Sequence, residues 1–292
     1  MNKFHGTGVA LVTPFKADGS VDFDGLKNLI NYLIDGKVEY LVSLGTTGEA
    51  STLNKDEKKK IWEFTAEINN GRLPLIAGIG GNDTASISQS VKDFEVNGYS
   101  AILSASPYYV KPTQEGIYQH YKAISEASSL PIFLYNVPGR TGSNVSPETT
   151  CRLAHDFKNI VATKEASGNF DQFNQIMRDK PEDFLLISGD DPVAMPMISL
   201  GAVGVISVVG NALPKQLSDM IRLCLSGEFA KALPLHLSLL EFTKLMFAEG
   251  NPAGVKAALK HFGVCDDHLR LPLVKVSPAL REAIIAESQK IS

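Results

Sequence analysis

One pattern recurs about eight times along the chain: a short, almost unbroken apolar run, then a longer amphipathic stretch. The apolar runs are GVALVTPF, EYLVSLG, LPLIAGIG, YSAILSAS, LPIFLYNV, NIVATKEA, FLLISGDD and VGVISVVG. Each is bounded by Gly, Pro, Asn, Asp or Ser, the residues that end strands. Segments between them, such as DFDGLKNLINYLIDG, NKDEKKKIWEFTAEINN and TASISQSVKDFEVNG, carry apolar residues at helical spacing. Asp22 or Asp24, Asn54, Thr84 and Thr113 stand where helix N-caps belong. Near-continuous apolar strands alternating with helices predict a parallel sheet covered on both faces. Eight units in roughly 210 residues favour closure over an open sheet, giving an α/β fold, a (β/α)8 TIM barrel. No strand signal follows PKQLSDMIRLCLSGEF. The expected division is therefore a catalytic barrel over residues 1–229 and a C-terminal helical region over residues 230–292, packed on the barrel.

Composition narrows the function classes. The chain has 292 residues, 44% hydrophobic and 21% charged, with a net charge of −4. That balance suits a soluble protein with a large core and gives no basic surface for neutralising nucleic-acid phosphates. Cys151, Cys224 and Cys265 are far apart with no CxxC spacing, so neither a zinc site nor a disulfide framework is expected. The start, MNKFHGTGVALVTPF, meets glycine and polar residues before a leader's apolar core forms. Stretches such as AVGVISVVGNAL are too short and glycine-broken to cross a bilayer. A cytoplasmic enzyme with no membrane partner is expected.

In such a barrel the chemistry belongs at the C-terminal ends of the strands. The polar residues there include Thr46 and Thr47, Asn82, Tyr108 and Tyr109, Tyr135, Lys164 and the Ser188–Asp191 turn. They hold no histidine cluster or metal-ligand spacing and no phosphate-binding GxxxxGK[ST] loop. In NIVATKEASG, alternation puts Lys164 on the same side as Ile160 and Ala162. Lysine is rarely buried unless paired, so Lys164 is either a strand end reaching water or a nitrogen kept for chemistry. GTTGE, Gly45 to Glu49, is either an ordinary βα turn or a cradle of amides and hydroxyls for a carboxylate. Parity places Phe133 and Tyr135 on one face of their strand, with Tyr135 near Lys164 on the next. Arg140 is a solvated loop charge or a bidentate carboxylate clamp. An amine, a phenol, a hydroxyl pair and an arginine at one barrel end, without metal or cofactor, point to Schiff-base chemistry on a carbonyl compound. Desolvation favours the neutral amine that this requires, which would explain an inward lysine.

The motifs GTTGE, PYYVKPTQEGIYQHY, LYNVPGRTG and IVATKEASGN, in that order, resemble the N-acetylneuraminate lyase family and, within it, the dihydrodipicolinate synthase branch. The resemblance runs from GTGVALVTPF through SGDDPVAMPMISLGAVGVISVVGN to NPAGVKAAL. It implies a cofactor-free lyase that condenses pyruvate with aspartate semialdehyde on the diaminopimelate route to lysine. Lys164 would form the imine and Tyr135 would shuttle protons, linked through Thr47 to Tyr109 from a neighbouring subunit. Thr46, Thr47 and the Ile206 carbonyl would surround the pyruvate carboxylate, and Arg140 would hold the second substrate's carboxylate. A homotetramer, a dimer of dimers, is the implied assembly. The region where related enzymes bind lysine as an inhibitor maps to Ala50, Lys55, Lys58, Asn82, Ser86 and Tyr108. Lys55 and Lys58 replace frequent histidines there and Ser86 replaces an acid, so a cationic effector is disfavoured. Two alternatives share these residues: a sibling aldolase for sugar acids, such as N-acetylneuraminate or a 2-keto-3-deoxy acid, and a barrel that binds a keto acid without turning it over.

Overall fold

A computed structural model describes residues 2–291; Met1 and Ser292, the outer ends of the two expected regions, lie outside the described residues. The eight apolar runs form eight strands: Gly6–Ala10 (β1), Tyr40–Ser43 (β2), Leu75–Gly78 (β3), Tyr99–Ala105 (β4), Ile132–Asn136 (β5), Ile160–Glu165 (β6), Leu185–Ser188 (β7) and Gly204–Ser207 (β8). Each pairs with the next, and β1 pairs in parallel with β8, so the sheet is a closed barrel. Closure leaves two apolar surfaces. Leu41, Ile102, Leu134, Leu186 and Val205 face the surrounding helices, while Val42, Leu103, Phe133, Ile187 and Ile206 fill the interior.

Two glycines make the closure possible. A Cβ on Gly204, at φ 150°, would sit 1.9 Å from the Gly6 carbonyl oxygen across the β1–β8 seam. One on Gly8 would strike the Tyr40 ring at 2.1 Å, so the missing side chain makes room for that ring. The N-terminal end of the barrel is stoppered by aromatic edges: Phe4 meets Phe133 at 4.9 Å and Tyr40 at 5.7 Å between centroids, both T-shaped. Chemistry is thereby left to the opposite end.

The strand parity expected around Lys164 holds only in part. Ile132 pairs with Ile160 but Phe133 pairs with Ala162, a register shift that leaves Val161 without a partner on β5. This bulge turns Ile160 outward into the helix-facing core, while Val161 and Ala162 join the interior. Phe133 and Tyr135 share the interior face as expected. Asp22, Asn54 and Thr113 cap their helices, Asn54 in a reciprocal capping box with Glu57. The helix Thr84–Lys92 is instead capped by Asp83, which accepts from the Ala85 N–H; the Thr84 hydroxyl pairs with His120.

Beyond β8 the chain is helical: Pro214–Leu225, Phe229–Phe247, Ala253–His261 and Pro278–Ile291. These last segments grip the barrel through polar contacts as well as packing. Lys256 Nζ lies 2.5 Å from Glu49 Oε1, both side chains fully buried, and also donates to the His268 carbonyl at 2.8 Å. Arg270 donates twice to Glu57 and to the carbonyls of Gly19 and Thr52. Phe15 lies beneath both cations, 4.4 Å from Lys256 Nζ and 4.6 Å from the Arg270 guanidinium.

Replacing Lys256 with Met strands a buried carboxylate and should lower stability by about 3–5 kcal/mol, read from the urea midpoint. Adding Glu49→Gln to that variant should recover part of the loss. Hydrogen bonding by Arg270 lowers the Glu57 carboxyl from its ordinary 4.5 to about 2. A lowered carboxyl stabilises the fold above its unfolded value, and that contribution disappears as pH falls through the folded one. Stability from this pair should therefore fade between pH 4.5 and about 2, and Glu57→Gln should flatten the acid limb of a stability–pH curve in that window.

Candidate active site

The last inward position of β6 is Lys164, which is only 4% exposed. Its register partner on β5 is Tyr135, and Lys164 Nζ lies 4.2 Å from the centre of the Tyr135 ring. Among the described residues no carboxylate forms an ion pair with Lys164. Lys164 is thus not a charge projecting into bulk water: its side chain is buried and its amine lies against an aromatic face. On the opposite side of β6, Glu165 is fully buried and accepts from Asn136, Gln172 and the Ser167 N–H. Burial raises its carboxyl, and those donors pull it back.

Two acids follow β7. Burial raises the carboxyls of both Asp190 and Asp191, with the nearby Lys164 charge acting in the opposite direction. Asp191 Oδ2 accepts from the N–H groups of Val208 and Val209 at 3.0 and 3.2 Å and so fixes the chain just past β8. Ile206, fully buried within β8 and paired with Gly8, sits two residues before Val208.

The GTTGE stretch folds as a turn of 3-10 helix, Thr46–Gly48, with Glu49 left-handed at φ 52°. Four contacts hold it. Thr13 Oγ1 donates to the Gly48 carbonyl at 2.7 Å; Asn251 Nδ2 donates to Thr47 Oγ1 at 2.9 Å; Lys256 and the Arg270 N–H bind the two Glu49 oxygens. Glu49 is therefore structural, leaving the two threonines as the chemically free part of the motif.

Thr46, Tyr135 and Arg140 line one cleft of about 900 Å³. Arg140 belongs to the short helix Pro138–Thr141 and its side chain is exposed. The same cleft continues to Ala50, Lys55, Lys58, Ser86 and Tyr108, so the expected effector region opens into the expected substrate region. Burial lowers the Lys58 ammonium. Asn82 stands behind Tyr108, its Oδ1 accepting the Tyr108 N–H at 2.8 Å. A second cavity, about 680 Å³ around His5, Lys180 and Phe184, holds none of the expected residues.

Tyr109 is not brought to Lys164 within one chain. It is 87% exposed at φ 69°, with its N–H bonded to the Thr141 carbonyl at 3.1 Å, and Tyr108 and Val110 beside it are exposed too. Asn251, Lys256 and Asp191 carry contacts to which sequence reasoning gave no role. NPAGVKAAL contains the first two, but nothing in its spacing says which distant turn they meet.

Comparison with known proteins gives a consistent result. Residues 3–290 match the dihydrodipicolinate synthetase family. The chain is 51% identical over 292 residues, all of both chains, to 4-hydroxy-tetrahydrodipicolinate synthase of Flavobacterium psychrophilum. The crystal structure of dihydrodipicolinate synthase from Thermotoga maritima superposes with a TM-score of 0.96 at 42% identity, covering 99% of each chain. The chloride-inhibited enzyme of the same name from Acinetobacter baumannii, complexed with pyruvate, superposes at 0.95 with 39% identity over 98% of each chain.

Proposed function

The chain belongs to the dihydrodipicolinate synthetase family, and we propose that it performs that family's condensation with Lys164 as nucleophile. It is a lyase that joins pyruvate to L-aspartate 4-semialdehyde, giving 4-hydroxy-tetrahydrodipicolinate on the diaminopimelate route to lysine. The observation that carries the assignment of roles is the buried Lys164 amine, without a carboxylate ion-pair partner among the described residues, against the Tyr135 ring at the open end of the barrel.

Lys164 Nζ attacks the keto carbon of pyruvate, and one water leaves as the protonated imine forms. The imine draws electrons from the adjacent methyl group, whose proton passes to Tyr135. The enamine carbon then bonds to the aldehyde carbon of the second substrate, and the new alkoxide takes up a proton. Finally the substrate's own amine attacks the imine carbon, Lys164 departs, and the ring closes with its nitrogen doubly bonded to that carbon.

Thr46 and Thr47 hold the pyruvate carboxylate beside the Ile206 carbonyl, and Arg140 clamps the carboxylate of the semialdehyde. Thr47 links Tyr135 to Tyr109, which the exposed loop carries into the cleft of a neighbouring subunit. The assembly on this reading is a tetramer of two such dimers, in the cytoplasm. Three free cysteines and the lack, among the described residues, of any helix long and apolar enough to cross a membrane are compatible with that location. The division of labour is a catalytic barrel over residues 1–229 braced by helices over residues 230–292.

Borohydride reduction in the presence of pyruvate should add the keto acid to Lys164, as read by peptide mass, and Lys164→Ala should abolish both adduct and turnover. An unmodified Lys164 would revive a keto acid binder, and turnover with N-acetylmannosamine in place of the semialdehyde would reveal a sugar-acid aldolase. Tyr109→Phe should slow turnover by about 100-fold, the scale of one lost general acid–base group. Lys55 and Lys58 beside Ser86 disfavour a cationic effector, so the rate should be unchanged by sub-millimolar lysine; half-inhibition in that range would refute this account of the effector region.

A further inference from the structure

Asn251, between the helices Phe229–Phe247 and Ala253–His261, reaches back to Thr47, next to the cleft-lining Thr46. Its Nδ2 donates to Thr47 Oγ1 at 2.9 Å, and both side chains are buried. A hydroxyl carries one proton and two lone pairs, while an amide N–H only donates. With the amide placed so, the Thr47 oxygen is the acceptor in this contact, its own proton is not used on Asn251, and Asn251 Oδ1 is left buried without a hydrogen-bond partner.

Nor is that proton used elsewhere in the chain: among the described residues no acceptor takes it. Two other threonines packed on this turn behave differently. Thr13 donates to the Gly48 carbonyl at 2.7 Å and Thr52 to the Glu49 carbonyl at 3.0 Å, so their protons are committed to the backbone. Asn251 is itself restrained, since the helix that follows it is anchored by Lys256 on Glu49, two residues from Thr47. The backbone of the turn and the direction of its hydroxyl are thus set from the same helical segment.

We propose that Asn251 is a positioning residue that occupies a lone pair of Thr47 and so commits the Thr47 proton to the mouth of the barrel. It sets the direction in which the link between Thr47 and Tyr135 hands on a proton. The inference rests on the reading in which those two residues move the methyl proton of pyruvate.

The decisive variant is Asn251→Asp, equal in size but, when ionised, able only to accept. It takes the Thr47 proton and turns it away from the site. Exchange of the pyruvate methyl protons with D2O, followed by proton NMR without the aldehyde, should fall about 100-fold. At saturating pyruvate, which offsets any weaker hold on its carboxylate, borohydride trapping on Lys164 should still go to completion. Asn251→Ala, which frees the hydroxyl to rotate, should lose about tenfold in exchange and keeps the question answerable where the aspartate does not fold. In a Thr47→Val background, Asn251→Asp should add no further loss, because there is no hydroxyl left to orient; a merely structural role would still add its own. Parental exchange rates in the folded variants, or additive losses in the double variant, overturn the inference while trapping stands. Failure of trapping in the parent overturns the role of Lys164, and this inference with it.

Discussion

A parallel sheet with an open edge leaves a row of unpaired backbone groups facing water. The β1–β8 pairing removes that edge, and it depends on Gly204 allowing the Gly6 carbonyl to approach closer than any side chain would permit. Every parallel strand then has a neighbour on both sides and apolar cover on both faces. Phe4, Tyr40 and Phe133 stopper one end, so the polar side chains that end the strands converge at the other. Lys164, on β6 between β5 and β7, is buried in that wall against the Tyr135 ring.

Closure alone leaves the turns above the wall unsupported. The Thr46–Gly48 turn is held by partners some two hundred residues away in sequence: Asn251 on Thr47 and Lys256 on Glu49. A fully buried ion pair is a poor source of net stability, because desolvation consumes much of the attraction. Its value here is geometric, since an ammonium with a carboxylate and a carbonyl as partners tolerates few arrangements. Asp191 does comparable work on the other side, fixing the chain beyond Ile206 through two backbone N–H groups.

What could be read beforehand follows the range of each interaction. The eight strands were legible because parallel strands buried on both faces leave unbroken apolar runs, and the caps at Asp22, Asn54 and Thr113 because capping spans three residues. The inward aim of Lys164 and Tyr135 was legible from alternation. Ile160 was misplaced because a bulge at Val161 leaves no mark in alternation, and Thr84 because two adjacent capping residues compete. The pairs joining Thr47 to Asn251 and Glu49 to Lys256 were not legible, since their partners meet only after the barrel has closed. The roles of Thr46, Thr47, Tyr109, Arg140 and Ile206 came from resemblance, and the structure supplies their surroundings.

The lateness of residues 251–256 along the chain bears on biosynthesis. All eight strands leave the ribosome before Asn251 and Lys256 do, so a nascent chain can complete its wall while the Thr46–Gly48 turn is still unbraced. The same segment that arrives near the end of translation holds the Thr46–Gly48 turn in place. A prematurely released polypeptide would carry Lys164 in its wall yet leave that turn unset, so the settled turn would mark a finished protein.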